Sequence, residues 1–337
     1  MVAKTALAAV LLLSCVNFSG SAKAADASPV RTAGAIVKAF DHLFGGPHEG
    51  YRAVHAKGVL LDGSFQPGPD AASLTTAVHL QRAPSPVLVR FSDFAGIPDI
   101  PDTDGAANPK GMAIKFLLGD GASTDIVAHS FNGFPAATPE GFLAFLTALG
   151  DPDKTALPAY AAAHPAAKRF LDAPKPAPAS FATEHFFGVN AFAFTNARNV
   201  TRYGRYFIVP AAGLRHLSDE EAAKKGPNFL FDEIRARLAR GPVRFVLKVQ
   251  IAGPGDSLTD GAFPWPDDRP MVDLGTITLT GVAADNAGRQ RDILFTPLSL
   301  VGGIAPSKDP MLASRTRAYR ISHDRRTERT EASVTPR

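Results

Sequence analysis

Hydrophobic positions along the chain follow two rhythms. Alternating or continuous apolar runs predict strands at Arg52 to Leu61, Thr75 to Gln81, Val87 to Ser92, Met112 to Leu118 and Asp125 to Ser130. A second set follows at Phe186 to Phe194, Arg202 to Val209, Val243 to Ala252 and Val272 to Leu279. Helical spacing recurs over residues 33–44, 139–149, 157–171 and 228–239. Thr138-Pro139 supplies a cap and a first-turn proline for the second of these. Ser218-Asp219-Glu220-Glu221 is a capping box that opens a short helix, and Pro174 to Pro178 reads as a stiff connector. Two strand sets interrupted by helices predict an α+β chain. Its centre would be a closed antiparallel β-barrel of about eight strands with helical insertions. No internal repeat and no dividing linker is evident, so the pattern predicts one domain.

Composition and the N-terminal segment add to this picture. Gly (29) and Pro (28) are plentiful, which favours turns and long ordered loops over a helical bundle. Lys4, the apolar run Ala6 to Val16 and Ser21-Ala22-Lys23-Ala24 form a secretory leader over residues 1–24, leaving residues 25–337 as the domain. The run is too short for a stable membrane anchor, and export predicts a periplasmic or secreted protein. Removal of Lys4 and Lys23 takes the formal charge from +4 to +2, too mild for a nucleic-acid partner. Cys15, the only cysteine, lies within the leader; cleavage leaves no disulfide and no thiol for peroxide to oxidise. A competing reading takes Leu12-Leu13-Ser14 as the lead-in to a lipidated Cys15.

Three segments carry candidate chemistry. In a strand from Arg52, His55 would share a face with Ala53 and Lys57, and on an inward barrel face it could be an acid/base, a metal ligand or a satisfied structural histidine. Val89-Arg90-Phe91-Ser92 places a cation and a hydroxyl at a strand end. Near the C-terminus, Arg315 and Tyr319 are one helical turn apart. A guanidinium beside a phenol favours the phenolate, a hard ligand for ferric iron. Alone, that stretch reads as a solvated basic helix whose tyrosine packs.

Taken in order, these segments resemble the haem catalase family, and within it the small exported catalase-related peroxidases. Arg52-x-x-His55-Ala-Lys-Gly looks like the family's distal histidine segment, and Val89 to Ser92 like the following strand. Pro109-Lys110-Gly111-Met112-Ala113-Ile114-Lys115-Phe116 is similar to the next strand. Trp265-Pro266, Leu274-Gly275 and Phe295-x-Pro297 resemble the approach to the proximal helix, and Arg315-x-x-x-Tyr319 its signature. The resemblance runs from about Phe44 to Arg326. It implies a catalase-like barrel with a C-terminal proximal helix and haem b as cofactor. Tyr319 would ligate the ferric iron with Arg315 in support. Arg52, Arg90 and Arg326 would meet the propionates, because guanidinium pairs with carboxylate in a planar fork. His55 would act in catalysis with Ser92 beside it, and Phe134 and Phe142 would lie against the distal haem face or simply pack.

Three departures from the larger catalases favour peroxidase over disproportionation. An ungapped match places His129 where the family has a distal Asn, and Asn132 could serve only if the backbone slipped. The chain stops soon after Arg326, and the N-terminal arm is short. The implied activity is reduction of hydrogen peroxide or small organic peroxides with a small organic electron donor and weak catalase activity. The implied assembly is a monomer or homodimer, with no membrane partner once the leader is removed. A lipid-hydroperoxide rearranging enzyme and a non-enzymatic haem carrier or sensor are the alternatives.

Overall fold

Alternation along the strands decides the architecture, because it gives each strand an apolar face that fills a barrel and a second face that points out of it. The structure, a computed structural model, describes residues 22–331, with side chains placed over residues 29–328. In chain order the elements are α1 (Ala22–Phe44), β1 (Gly58–Pro67), the single-turn α2 (Ala71–Leu74), β2 (Ser85–Ser92), β3 (Gly111–Leu117), β4 (Ser123–His129), α3 (Pro139–Leu149), α4 (Ala156–Ala163), α5 (Pro165–Asp172), β5 (Phe186–Thr195), β6 (Thr201–Pro210), α6 (Asp219–Ala223), α7 (Phe229–Arg240), β7 (Val243–Ile251), β8 (Met271–Val282), α8 (Asn286–Asp292), the short β9 (Ile304–Pro306) and α9 (Pro310–Glu331). The strand order is β4-β3-β2-β1-β8-β7-β6-β5-β9, and every pairing is antiparallel. The pair His129–Phe187 joins β4 to β5 and closes the first eight strands into a barrel.

One strand face fills the barrel. Val87, Val89 and Phe91 of β2 and Phe245, Leu247 and Val249 of β7 point inward and are buried. Phe91 stacks on Phe181 with ring centres 5.0 Å apart and meets Phe186 and Phe245 at 5.5 and 5.8 Å. Each such side chain contributes about 2–3 kcal/mol by leaving water, and the barrel is packed rather than hollow.

A second core forms among the helices and the loops beside the barrel. Ile36, Val37 and Phe40 of α1, Phe142, Phe145 and Leu146 of α3, and Met311 and Ala318 of α9 pack together there. Arg325 of α9 holds Asp41 of α1 through both carboxylate oxygens, at 2.5 and 2.9 Å, which fixes the two helices to each other. No helix among the described residues is long and apolar enough to cross a membrane.

The α+β barrel follows the sequence pattern, with four local differences. Residues 52–57 are not strand: the main chain runs irregularly beside the segment after β2, and His55 takes a left-handed φ of 59°. Thr75 to Gln81 form a turn around a 3-10 segment, Val78–Leu80, because Thr75 and Gln81 bond the local main chain instead of a neighbouring strand. The helix expected over 157–171 breaks into α4 and α5 at Pro165, whose nitrogen has no proton to continue the ladder. The first helix starts at Ala22, well before residue 33. The leader and Cys15 lie outside the described residues, apart from the helical backbone of residues 22–24.

Candidate functional site

One row of paired residues sets up the site. Gly58 of β1 faces Ser92 of β2, Ser92 faces Gly111 of β3, and Gly111 faces His129 of β4. Cross-strand partners share a face, so Ser92 and His129 point outward with two glycines in their row. Two residues along, Leu60, Arg90, Ala113 and Val127 form the parallel row. Both rows border a cavity of about 490 Å³ between the barrel's outer wall and helices α1, α3 and α9.

Arg52, His55, Arg90, Ser92, His129, Phe134, Phe142, Arg315, Tyr319 and Arg326 all line that cavity. The site therefore lies on the barrel's outer face, not its inward face, and His55 reaches it from a loop rather than a strand. Strict alternation would send Arg52 and His55 to opposite sides. The left-handed backbone at His55 lets both side chains enter one cavity.

Hydrogen bonds fix the two histidines differently. His55 Nδ1 is 3.1 Å from the main-chain oxygen of Asp93 and 3.0 Å from Ser92 Oγ. A carbonyl only accepts, so Nδ1 carries the proton and Nε2 keeps its lone pair. Phe94 packs edge-on to the ring at 5.4 Å. Burial, then the charges of Arg90 and neighbouring groups, push His55 down to about 3, so the imidazole is neutral. His129 has the other arrangement: its Nδ1 accepts a long 3.4 Å bond from the Phe131 N–H, which puts the proton on a buried Nε2 that has no partner among the described residues. Burial and the charge of Arg315 push His129 down to about 3 as well. Asn132 does not line the cavity; its main-chain oxygen accepts from Arg169.

These two neutral imidazoles make the protein acid-sensitive. Unfolded, each binds a proton near pH 6.5; folded, each resists down to about 3. Between those values the unfolded chain binds more protons, so stability falls as pH drops from 6.5 towards 3, by roughly 2–3 kcal/mol for each histidine at pH 4.5. Thermal melts of the haem-free protein should show the melting temperature falling steeply between pH 6.5 and 4.5; a flat profile would contradict the assignment of neutral histidines.

A second group of side chains is cationic. Arg52 donates to the Ile293 main-chain oxygen at 2.9 Å, and Arg90 to Gln290 Oε1 at 2.8 Å and the Ala56 oxygen at 3.2 Å. Arg326 donates to the oxygens of Arg291 and Ile293 at 2.6 and 2.8 Å. Gly58 makes room for Arg90, since a Cβ there would lie 2.2 Å from the guanidinium. Burial and mutual repulsion lower Arg52 well below its ordinary value and Arg90 to about 9; burial takes Arg326 to about 10. Among the described residues no carboxylate is within ion-pair distance of Arg52 or Arg90. A cluster of buried cations of this kind calls for an anionic ligand, and paired carboxylates fit it.

The third group sits on α9. Met311, Ser314, Arg315, Ala318, Tyr319, Ser322 and Arg326 line the cavity, the spacing of one helical face. Arg315 Nε donates to the Tyr319 hydroxyl oxygen at 3.1 Å, and its Nη1 donates to Asn190 Oδ1. Asn190 Nδ2 in turn donates to Asp309 Oδ2 at 2.7 Å, while Asp309 Oδ1 accepts from the Met311 N–H at the start of α9. Asp309 thus caps the helix and anchors the chain of bonds ending on Tyr319. Burial raises Asp309 above the usual carboxylate range. Sequence patterns alone do not single out Asn190 or Asp309. The available signals are slight: Asn190 is a lone amide in the apolar run of β5, and Asp309-Pro310 is a helix-start pair.

A largely apolar cavity, clustered guanidiniums and a phenol held by an arginine fit a haem: carboxylates for the cations, a macrocycle for the apolar walls, an oxygen ligand for the iron. His323 bonds the Asp292 main-chain oxygen at 2.9 Å and lies outside the cavity, in keeping with a structural role.

The family model described as Catalase matches residues 49–334. A catalase-related peroxidase of Mycolicibacterium paratuberculosis is 40% identical over 288 residues, covering 84% of this chain and 91% of that protein. A catalase-related peroxidase of Synechococcus elongatus is 32% identical over 328 residues, covering 95% and 96%. Among solved structures, a fungal catalase superposes with a TM-score of 0.74 at 21% identity over 82% of this chain, and catalase A from Saccharomyces cerevisiae with 0.73 at 20%. This chain spans about 60% of the length of those two larger proteins. With nearly the whole described fold matched, this chain belongs to the catalase family.

Proposed function

We propose that this chain is a haem peroxidase that reduces hydrogen peroxide or small organic peroxides with an organic electron donor and releases little oxygen from peroxide alone. The observation that carries this reading is one cavity holding a neutral His55 with an unprotonated Nε2 and a Tyr319 oxygen held by Arg315. Haem b, when bound, would supply the redox-active iron that peroxide reduction requires.

The chain's own residues then have distinct tasks. Tyr319 offers its oxygen to the iron, and the Arg315 guanidinium offsets negative charge on that oxygen. Arg52, Arg90 and Arg326 hold the propionates. Phe134 and Phe142, 4.6 Å apart, pack against the ring. His55 Nε2, which carries no proton, would accept a proton from peroxide and return it to the oxygen that departs as water when the O–O bond breaks. Its low pKa keeps it ready for this over the ordinary pH range, and Ser92 and the Asp93 carbonyl hold the ring in place. His129 occupies the row position nearest Gly111 and replaces an amide with an imidazole; that exchange supports peroxidase over catalase turnover. Residues 1–24 would direct export to the periplasm or outside the cell.

Gly111 shows how tightly His55 is placed. A Cβ there would lie 2.5 Å from Ser92 Oγ and 2.8 Å from His55 Nδ1. Gly111→Ala should therefore displace the imidazole and lower turnover per bound haem roughly 10²-fold, with haem content unchanged; native turnover in this variant would mean His55 is not the proton carrier. The reading as a whole is tested by giving haem-loaded protein hydrogen peroxide with and without a dye donor while following oxygen. Donor-dependent turnover with little oxygen supports it. Vigorous oxygen release without donor would mean a catalase, and the weight given to His129 would be wrong.

A further inference from the structure

The cavity extends beyond the groups assigned above. A run of ring contacts leads from His129 to Phe134 (6.2 Å), Phe142 (4.6 Å), Phe145 (6.4 Å) and Phe170 of α5 (6.0 Å). At the end of this apolar wall Lys175 lines the same cavity, its Nζ 4.5 Å from the centre of the Phe170 ring. Lys175 donates to the main-chain oxygens of Phe170 and Ala173, which leaves its third N–H uncommitted to either.

Arg169 stands behind it. Its guanidinium lies 4.9 Å and Lys175 Nζ 5.1 Å from the centre of the Phe131 ring. One Arg169 nitrogen donates to the Asn132 oxygen, while Nη1 is buried without a partner among the described residues. The carboxylate nearest to this pair in sequence, Asp172, is engaged by Lys168 on the surface. Lys175 bonds Phe170 and Ala173, whereas Arg52, Arg90 and Arg326 bond Ile293, Gln290, Ala56 and Arg291. The cavity thus carries a cation beyond the three arginines that the haem carboxylates would account for.

We propose that Lys175, backed by Arg169, is an anion subsite that selects organic molecules carrying a carboxylate on an apolar body. The apolar wall takes the body, and Lys175 pairs with the carboxylate through a charge-assisted hydrogen bond. The molecule is either a reducing donor, such as a phenolic acid, or an organic hydroperoxide with an acidic end, such as a fatty-acid hydroperoxide. This rests on the haem-peroxidase reading and adds the substrate class to it.

The first test is equilibrium calorimetry on the haem-loaded protein with 3-phenylpropionate and its neutral counterpart 3-phenylpropanol. The carboxylate should bind at least about tenfold more tightly, the scale of one bond to a charged group. The preference should vanish in Lys175→Met and persist in Lys175→Arg. Equal affinities in the native protein would overturn the proposal, without any variant needing to fold. A preference that survives in Lys175→Met would also overturn it, and would place the anion at the other end of the cavity. Two kinetic arms identify the source: a phenolic acid against its amide as donor with hydrogen peroxide, and a fatty-acid hydroperoxide against its methyl ester with a neutral donor. A higher kcat/KM for the acid in one arm supports that source, and no acid preference in either arm overturns the proposal. Failure of the protein to take up haem would instead sink the peroxidase reading, and the Soret band recorded beforehand separates the two outcomes.

Discussion

Tyr319→Phe protein, supplied with haem under conditions that saturate the native chain, is expected to lose peroxide turnover by roughly a thousandfold and to hold haem far more weakly. The substitution removes one oxygen and leaves the ring, so the packing of α9 is kept. That oxygen is the only atom the α9 tyrosine offers to iron, and it is already oriented by Arg315 Nε at 3.1 Å. If Tyr319 holds the iron, losing its oxygen would remove both an anchor for the haem and electron donation to it. Arg315→Met, which keeps the ligand and loses only its support, should cost about 10–100-fold, the scale of outer-shell partners. Absorption spectra at graded haem concentrations and turnover per bound haem check both. Native spectra and rates for Tyr319→Phe would place the ligand elsewhere.

The second large effect falls on His55. His55→Ala should retain haem, because the guanidiniums and Tyr319 are untouched, and should lose about 10²–10⁴-fold in the reaction with peroxide, the range for a positioned acid/base. The rate should be flat with pH above about 4 in the native protein as far as this group is concerned, since His55 titrates at about 3. Stopped-flow absorption on mixing with peroxide measures both. A native rate for the variant would shift the proton to another group, and His129, the other buried imidazole of the cavity, would be the next candidate.

These two residues also mark how far the amino-acid sequence by itself reaches. The Arg315–Tyr319 pair is legible in it because helical spacing alone joins Arg315 to Tyr319, and the same rule places Ser322 and Arg326 on that face. Strand periodicity places β2–β8 closely, and with them Arg90, Ser92 and His129. His55 stands out by motif but is misplaced by periodicity. A left-handed residue breaks alternation, and no neighbouring glycine announces it. The location of the cavity outside the barrel is likewise hidden, because alternation says that a strand has two faces and not which one meets helices. Asn190 is hidden too, because its task depends on the register shift of β5 against β6 between Gly188 and Phe192, a tertiary feature. The 3-10 turn at Val78–Leu80 mimics a strand in sequence because Thr75 and Gln81 satisfy the local main chain, which apolar spacing does not report.

We propose that the cavity between the barrel and α9 is a haem site. Titration of freshly purified, haem-free protein with haem, followed by absorption, puts this to the test. A Soret band that saturates at one haem per chain is predicted, and its loss in an Arg52→Ala, Arg90→Ala double variant would tie it to this cavity. A spectrum that remains the sum of protein and free haem would contradict the claim and everything built on it.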